Sequence, residues 1–402
     1  MSPIFASLGS NYTPSLVGLA LLQIFFPIKE NQTQLSHKLA ALFGGQVKLT
    51  YKGRDAIECA LKAVGVMQGE TVLTQAFCCS AIEEAIIRTG GEPLYADLAV
   101  DSLTPTVESL TAAWEQAKIK PKFLLLQHTL GTVGPVEEIY AWAKNKSILI
   151  IEDLAQCFGA VHQDGSLIGT KAAAVVLSFG RDKILDAVSG GAVVLRIDSA
   201  AEIRLPYLAH KLMQIKDMTY PLITWMIRLT HQIGLGKGIH WLCKKTGWMQ
   251  SPTLAETEVA SLQPPEYAPL VLEQFRQLEN QLFHRQEIAS VYYQELRDLS
   301  QLKILTNTSE IELGSNLRFP IQVSNPANLL SSLEKKGWHL KDRWYRQPVD
   351  GGVGFVSTQY VPRSCPQAEI FSQTCLNLPT HRYVSVAAAK QLCNLLKEIL
   401  HD

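Results

Sequence analysis

The sequence predicts a three-layer α/β protein: a mostly parallel sheet covered by helices on both faces, with a smaller C-terminal α+β domain. Three observations predict it. Between residues 45 and 197, short runs that are apolar throughout alternate with stretches of helical periodicity. Such runs are what strands buried on both faces look like. Several of these runs end in a polar residue, and beyond residue 300 the pattern changes to short strands mixed with amphipathic helices.

The elements follow in order. "SLVGLALLQIFFPI" (Ser15–Ile28) is apolar but contains Gln23, follows no basic region and is too short to span a bilayer, so it reads as a docked helix and not as a secretory signal. "VKLTY" (Val47–Tyr51) reads as a strand and "RDAIECALKAVGV" as a helix. "ETVLTQ", the glycine-ended helix "SAIEEAIIRTGG" and "EPLYADL" repeat the alternation. "KFLLLQH" and "SILIIED" are apolar runs joined by the crossover helix "VEEIYAWAKNK", and "AAAVVLSFG" and "GGAVVLR" complete the sheet. A long helix is expected over Pro269–Leu296, and a last helix over "SVAAAKQLCNLLKEIL". The chain thus divides into an N-terminal helical segment (1–44), a large domain (45–197), an insert (198–262), and a linking helix with the small domain (263–402).

Composition excludes several classes of function. The 402 residues are 47% hydrophobic and carry 37 basic and 37 acidic side chains, so the formal net charge is zero. Bulk nucleic-acid binding needs an excess of positive charge and is not expected. The eight cysteines show no zinc spacing. They read as reduced, mostly buried thiols of a cytoplasmic protein, and no metal site is expected.

In sheets of this kind ligands gather at the carboxyl ends of the strands. His128, Asp153, Gln156 and Ser178 all fall there. Three features point to an anionic, electron-poor cofactor. "YKGRDAIE" is a strand–glycine–helix junction, whose free N–H groups suit a phosphate. Asp153 in "IIEDLAQ" ends a buried strand, and a buried carboxylate needs a partner such as a protonated pyridine. Capping the next helix is the simpler use for it. Lys183 lies 30 residues further on, just past the next strand, with Ser178 ahead of it. A Schiff-base lysine must sit close to its cofactor and lose its proton.

These segments resemble the DegT/DnrJ/EryC1/StrS sugar-aminotransferase family of fold-type-I pyridoxal-phosphate enzymes. "KGRDAIECALKAVGV", "GETVLTQAFCCSAIEEAIIRTGGEPLYADL", "QHTLGTVGPVEEIYAWAKNKSILIIEDLAQCFGA", "SFGRDKILDAVSGGAVV" and "CPQAEIFSQTCLNLPTH" carry the resemblance, in this order, over residues 40–197 and from 265 to the end. It implies that residues 45–197 bind pyridoxal 5′-phosphate. Lys183 would hold the cofactor covalently and shuttle a proton. Asp153 would pair with the pyridine nitrogen, Gln156 would lie near the phenolic oxygen, and Ser178 with the backbone of Gly53 and Arg54 would hold the phosphate. His128 stands where the family often has a histidine, which either supports the site or is a satisfied core residue.

The resemblance further implies transfer of an amino group, from glutamate as donor, to a nucleotide-linked keto sugar in polysaccharide biosynthesis, by a cytoplasmic homodimer. Related sugar dehydratases tend to have His where Lys183 stands, which favours transamination. A pyridoxal-phosphate dehydratase or lyase, and a non-catalytic sensor or scaffold, are the alternatives.

The sequence also departs from the family. Cys79 occupies the position of a ring-stacking aromatic, leaving that role to Cys79 itself or to Phe77. Arg54 replaces the usual Ser/Thr of the phosphate turn, and its guanidinium could serve phosphate or substrate. Residues 218–255 lack acidic side chains but hold Arg228, Lys237, Lys244, Lys245 and three tryptophans, which suits either peripheral contact with the inner membrane face or a cover or dimer contact. In "WHLKDRWYRQPV", Arg343, Trp344, Tyr345 and Arg346 are substrate candidates, or else a solvated hinge.

Overall fold

A computed structural model describes residues 3–197, 205–206, 210–249, 260–352 and 354–401. The chain enters through β1 (Ile4–Phe5) and α1 (Pro14–Phe25). Thr13 caps α1 by accepting from the Leu16 N–H, and Pro14 supplies a helix-ready first position. The helix buries Leu16, Val17 and Ala20, and it is followed by α2 (Glu30–Phe43). The apolar N-terminal stretch is helical to Phe25 and docked along Leu16, Val17 and Ala20, while Leu22, Phe25, Phe26 and Ile28 are exposed.

The large sheet contains β2 (Gln46–Thr50), β3 (Thr71–Gln75), β5 (Glu92–Ala96), β6 (Phe123–Gln127), β7 (Leu149–Asp153), β8 (Ala174–Ser178) and β9 (Gly191–Leu195), in the order β2-β9-β8-β7-β6-β3-β5. Five of the strands pair in parallel. β9 runs antiparallel to both of its neighbours, a direction that a wholly buried apolar run does not encode. Helices α3 (Gly53–Val64), α4 (Ser80–Thr89), α5 (Val107–Gln116) and α6 (Val136–Asn145) connect the strands, making the layered α/β architecture read from the sequence. The short β4 (Cys78–Cys79) leads into α4.

A helical hairpin follows, α7 (Lys211–Thr230) and α8 (Leu235–Lys245). The expected single helix over Pro269–Leu296 is two, α9 (Ala268–Phe275) and α10 (Leu278–Leu296). The turn tightens where the Arg276 and Gln277 N–H groups bond three residues back, and Gln277 then leaves helical geometry at φ −111°.

The small domain pairs β10 (Leu302–Ile304), β11 (Arg318–Val323) and β14 (Cys375–Pro379) antiparallel. It also holds α11 (Thr308–Leu313), α12 (Pro326–Lys335), α13 (Pro366–Thr374) and α14 (Val386–His401). Its core joins Ile288 and Tyr292 of α10 to Phe319, Ile321 and Leu392. Two short parallel pairings tie it to the rest: β1 with β12 (Trp338–His339), and β4 with β13 (Val349–Asp350). The second brings the segment containing Trp344 and Tyr345 close to Cys79.

Candidate active site

Strand register assembles the site. Gln127 and Asp153 lie level at the carboxyl ends of β6 and β7, and Asp153 is level with Val176 midway along β8. Ser178 lies level with Gly191, which pairs in turn with Thr50 just before α3. A cavity of about 1050 Å³ opens over these ends, lined by Gly53, Arg54, Cys79, Asp153, Gln156, Ser178, Lys183, Trp344 and Tyr345. Nine of the residues singled out from the sequence therefore share one wall system.

Lys183 sits on the loop between β8 and β9, with its ammonium 4.8 Å from the centre of the Trp344 ring. Burial pushes this amine below its ordinary value and the nearby Arg318 adds to the effect, while Cys79, Asp153 and Asp182 oppose it. The N-terminal strap braces the loop from outside the sheet. Ser10 Oγ donates to Asp182, Asn11 Nδ2 to the Lys183 carbonyl, and Tyr12 OH to Asp186 at 2.7 Å. Arg181 turns away to Asp217 of α7 (3.3 Å) and lies over the Tyr220 ring.

Asp153 is buried in the cavity wall. One carboxylate oxygen accepts from the Ala155 N–H at 2.9 Å, and the other is 3.5 Å from the Gln127 amide. Burial holds this carboxyl above its usual range, and the Ala155 N–H, Lys183, His128 and Gln127 only partly offset that. It is an acid short of a cationic partner, and a protonated ring nitrogen would supply one. Gln156 is held at both ends of its amide, donating to Tyr345 OH and accepting from the Leu130 N–H at 2.7 Å.

The start of α3 makes a cradle. A Cβ on Gly53 would lie 2.8 Å from both Cβ and Oγ of Ser178, so only glycine lets the helix N-terminus come this close. Ser178 Oγ accepts one long bond, 3.4 Å, from the Gly180 N–H. The first N–H groups of α3 and this hydroxyl together suit a phosphate. With Asp153 and Lys183 on the same cavity, the residues present fit pyridoxal phosphate. The Arg54 guanidinium is engaged with Glu84 of α4 in an ion pair.

Arg343, His128 and Phe77 stand outside the cavity lining. The Arg343 guanidinium donates to the carbonyls of Ser372, Gln373 and Cys375, the unsatisfied end of α13. His128 directly follows β6 and is buried, with Nε2 3.1 Å from Glu152 Oε1. Phe77 is no stacking candidate. It is fully buried edge-on against Tyr345 (5.5 Å) and Phe371 (6.0 Å), which leaves Cys79 as the soft group at that position. Burial holds the Cys79 thiol above its ordinary value, so it is neutral.

The sequence leaves open whether Asp182 tunes the amine or faces water, and the structure sets it beside Lys183. The sequence assigns no role to Arg318. Arg318 heads β11, lies with its guanidinium carbon 3.9 Å from the centre of the Trp344 ring, and pairs with Asp342 at 3.6 Å. A lone arginine at the start of a mostly apolar strand was the available signal. The strap's "SNYT", polar and set just before a proline-led helix, was another.

Comparison with known proteins agrees with this geometry. The family model for the DegT/DnrJ/EryC1/StrS aminotransferase family matches residues 26–222 and 267–397. The pleiotropic regulatory protein of Geobacillus stearothermophilus is 34% identical over 153 residues, spanning 37% of this chain and only 40% of that protein. The GDP-perosamine synthase of Vibrio cholerae is 21% identical over 86% of this chain and 84% of its own. In structure, a DegT/DnrJ/EryC1/StrS aminotransferase from Brucella abortus superposes with a TM-score of 0.71 at 20% identity, covering 96% of this chain and 95% of that one. The chain belongs to the DegT/DnrJ/EryC1/StrS aminotransferase family, pyridoxal-phosphate enzymes of fold type I.

Proposed function

We propose that this protein is a pyridoxal-phosphate aminotransferase that moves an amino group from glutamate to a nucleotide-linked keto sugar, as a homodimer in the cytoplasm at the inner membrane face, for polysaccharide synthesis. The observation that carries the reading is the meeting of Lys183, Asp153 and Ser178 on one cavity at the strand ends. The name GDP-perosamine synthase, borne by a relative aligned over most of both chains, supports a sugar acceptor. We assign cofactor binding to residues 45–197, a separate unit to 198–262, and the linking helix and small domain to 263–402.

When bound, pyridoxal phosphate supplies a carbonyl that accepts and releases an amino group and a ring that draws electrons. The chain's own residues do the rest. Ser178 Oγ and the backbone amides of Gly53 and Arg54 hold the phosphate. Asp153 would pair as a carboxylate with the ring nitrogen and keep a proton on it, the cation supplying the partner that burial otherwise denies this acid. Gln156, fixed at both ends, presents Tyr345 at the cavity. Lys183, its amine favoured in the neutral form by burial, anchors the cofactor and moves a proton at Nζ to and from the amino-bearing carbon. A scaffold that had lost the cofactor would have no use for this lysine and acid set on a common cavity.

The test is the visible absorbance of the purified, cofactor-loaded protein before and after glutamate is added. A shift on adding glutamate, absent from Lys183→Ala, is expected. Turnover retained in Lys183→Ala, or no response of the wild type to any amino donor, would overturn the assignment.

A further inference from the structure

The hairpin of α7 and α8 lies mostly within residues 223–266, which the family match skips. Its base is anchored. Asp217 accepts from Tyr51 and Tyr267, Trp248 Nε1 donates to Thr219 at 3.1 Å, and a Cβ on Gly236 would lie 2.2 Å from the Ile227 carbonyl. The hairpin is therefore a built element whose helices touch closely.

Its outer surface breaks the ordinary rule for a surface helix, which turns apolar side chains inward and charge outward. On α8 the cavity side carries Lys237, His240 and Lys244, at the i, i+3, i+7 spacing of one face. The side away from the cavity carries Leu235 and Leu242, seven residues apart, with Trp241 on its flank. Ile233 at the hairpin tip is 78% exposed, Leu229 63%, Trp241 62% and Leu242 53%. An exposed apolar cluster of this kind marks an interaction surface. Residues 218–255 contain no acidic side chain, and Lys245 adds a further cation 4.9 Å over the Trp241 ring. No helix among the described residues is long and apolar enough to cross a membrane. Glu334 and Asp342 share the cavity lining with Lys237 and Lys244, while the charges that the hairpin itself brings there are only cations. A helix with apolar side chains on one side and lysines on the other suits the headgroup layer of an anionic bilayer better than a neutral protein surface.

We infer that the hairpin docks on an anionic bilayer, with Ile233, Leu235 and Leu242 in the headgroup layer and Lys237, His240 and Lys244 holding a lipid phosphate at the cavity rim. The rim and the docking face are the two sides of one helix, whose diameter is roughly 10–12 Å. The site therefore opens at headgroup level. This deepens the aminotransferase reading and rests on it for its consequence, that the acceptor is met at a membrane.

The experiment uses the full-length, cofactor-loaded protein and vesicles of phosphatidylcholine alone or mixed with phosphatidylglycerol. Flotation with the mixed vesicles is expected to exceed that with neutral ones by about tenfold or more and to fall with salt. Ile233→Ser/Leu235→Ser/Leu242→Ser should abolish flotation while keeping the glutamate-driven absorbance change. Lys237→Gln/Lys244→Gln should reduce binding to the neutral-vesicle level. Wild type remaining with the supernatant overturns the inference, as does unchanged flotation of the triple variant. A triple variant that loses dimerisation, with no vesicle binding by the wild type, reassigns the face to a second copy and also overturns it. Inorganic pyrophosphate should release bound protein no better than sodium chloride at matched ionic strength. Selective release would make the rim a site for soluble anions instead. A wild type that floats without responding to glutamate refutes the aminotransferase reading and leaves the docking intact; the reverse result refutes the docking alone.

Discussion

Two walls of one cavity are built on opposite principles. The sheet wall places Asp153 and Lys183 in a buried setting where burial shifts both away from their ordinary protonation. The hairpin wall places Lys237 and Lys244 at an exposed rim, and its histidines owe their lowered pKa values first to burial and then to neighbouring cations. The first wall is held by glycine-only contacts such as Gly53 against Ser178. The second leaves much of its apolar surface in solvent. Groups that do chemistry gain from a dry, fixed setting, because electrostatic interactions strengthen there. A surface that meets a partner has to remain open.

The largest effect that would break this contrast lies at Asp153. Asp153→Asn keeps the shape but removes the charge, and should lower the rate of the glutamate half-reaction by about a hundredfold or more. Stopped-flow absorbance would measure it. A loss under tenfold would mean that the acid only caps the Ala155 N–H, as the simpler sequence reading had it.

Gly53→Ala probes the cradle. The added methyl meets Ser178 at 2.8 Å, so the start of α3 must shift. Overpacking of this kind costs roughly 1–3 kcal/mol, and cofactor affinity, measured by equilibrium dialysis, should fall with it. Unchanged affinity and melting temperature would show that the helix start is not held against Ser178.

How far the sequence could be read follows the same division. Asp153, Ser178 and Lys183 are legible because a strand end is a local signal: an apolar run stops and a polar residue follows. The antiparallel course of β9 is not legible, since a strand with every residue buried reads alike in both directions. The break at Arg276–Gln277 leaves the helical pattern intact in the sequence. The bracing of the lysine loop by Ser10, Asn11 and Tyr12 spans more than 170 positions and has no periodicity to betray it. Arg343 looked like a substrate ligand in a run of basic and aromatic residues, but the end of α13 claims it.

The bracing has a pH signature. Burial raises the Asp182 and Asp186 carboxyls, and the charge on Asp182 raises Asp186 further. A folded-state value above the unfolded one means that the native protein holds the proton more tightly. The stabilisation is complete below the unfolded value of about 4 and is lost as pH rises through the raised values. Melting temperature should therefore fall across that window. Asp186→Asn, which can still accept from Tyr12, should reduce the slope. It should not abolish it, because Asp55, pushed up to about 6 chiefly by burial, acts in the same sense. An unchanged slope would remove the pair from the account.

The smallest effect is the most discriminating between the walls, and it comes from two leucines. Leu177 lies one residue before Ser178 in β8 and is fully buried, whereas Leu242 on α8 is exposed. Leu177→Ala should cost about 2–5 kcal/mol, because a cavity opens beneath the site. Leu242→Ala should change stability by no more than about 0.5 kcal/mol. Chemical denaturation of both variants would measure the difference. If Leu242→Ala proved as costly as Leu177→Ala, its side chain would be packed in solution against something that covers the outer face of α8. The hairpin would then be part of a closed core, and the contrast between a buried chemical wall and an open docking wall would fail at its second term.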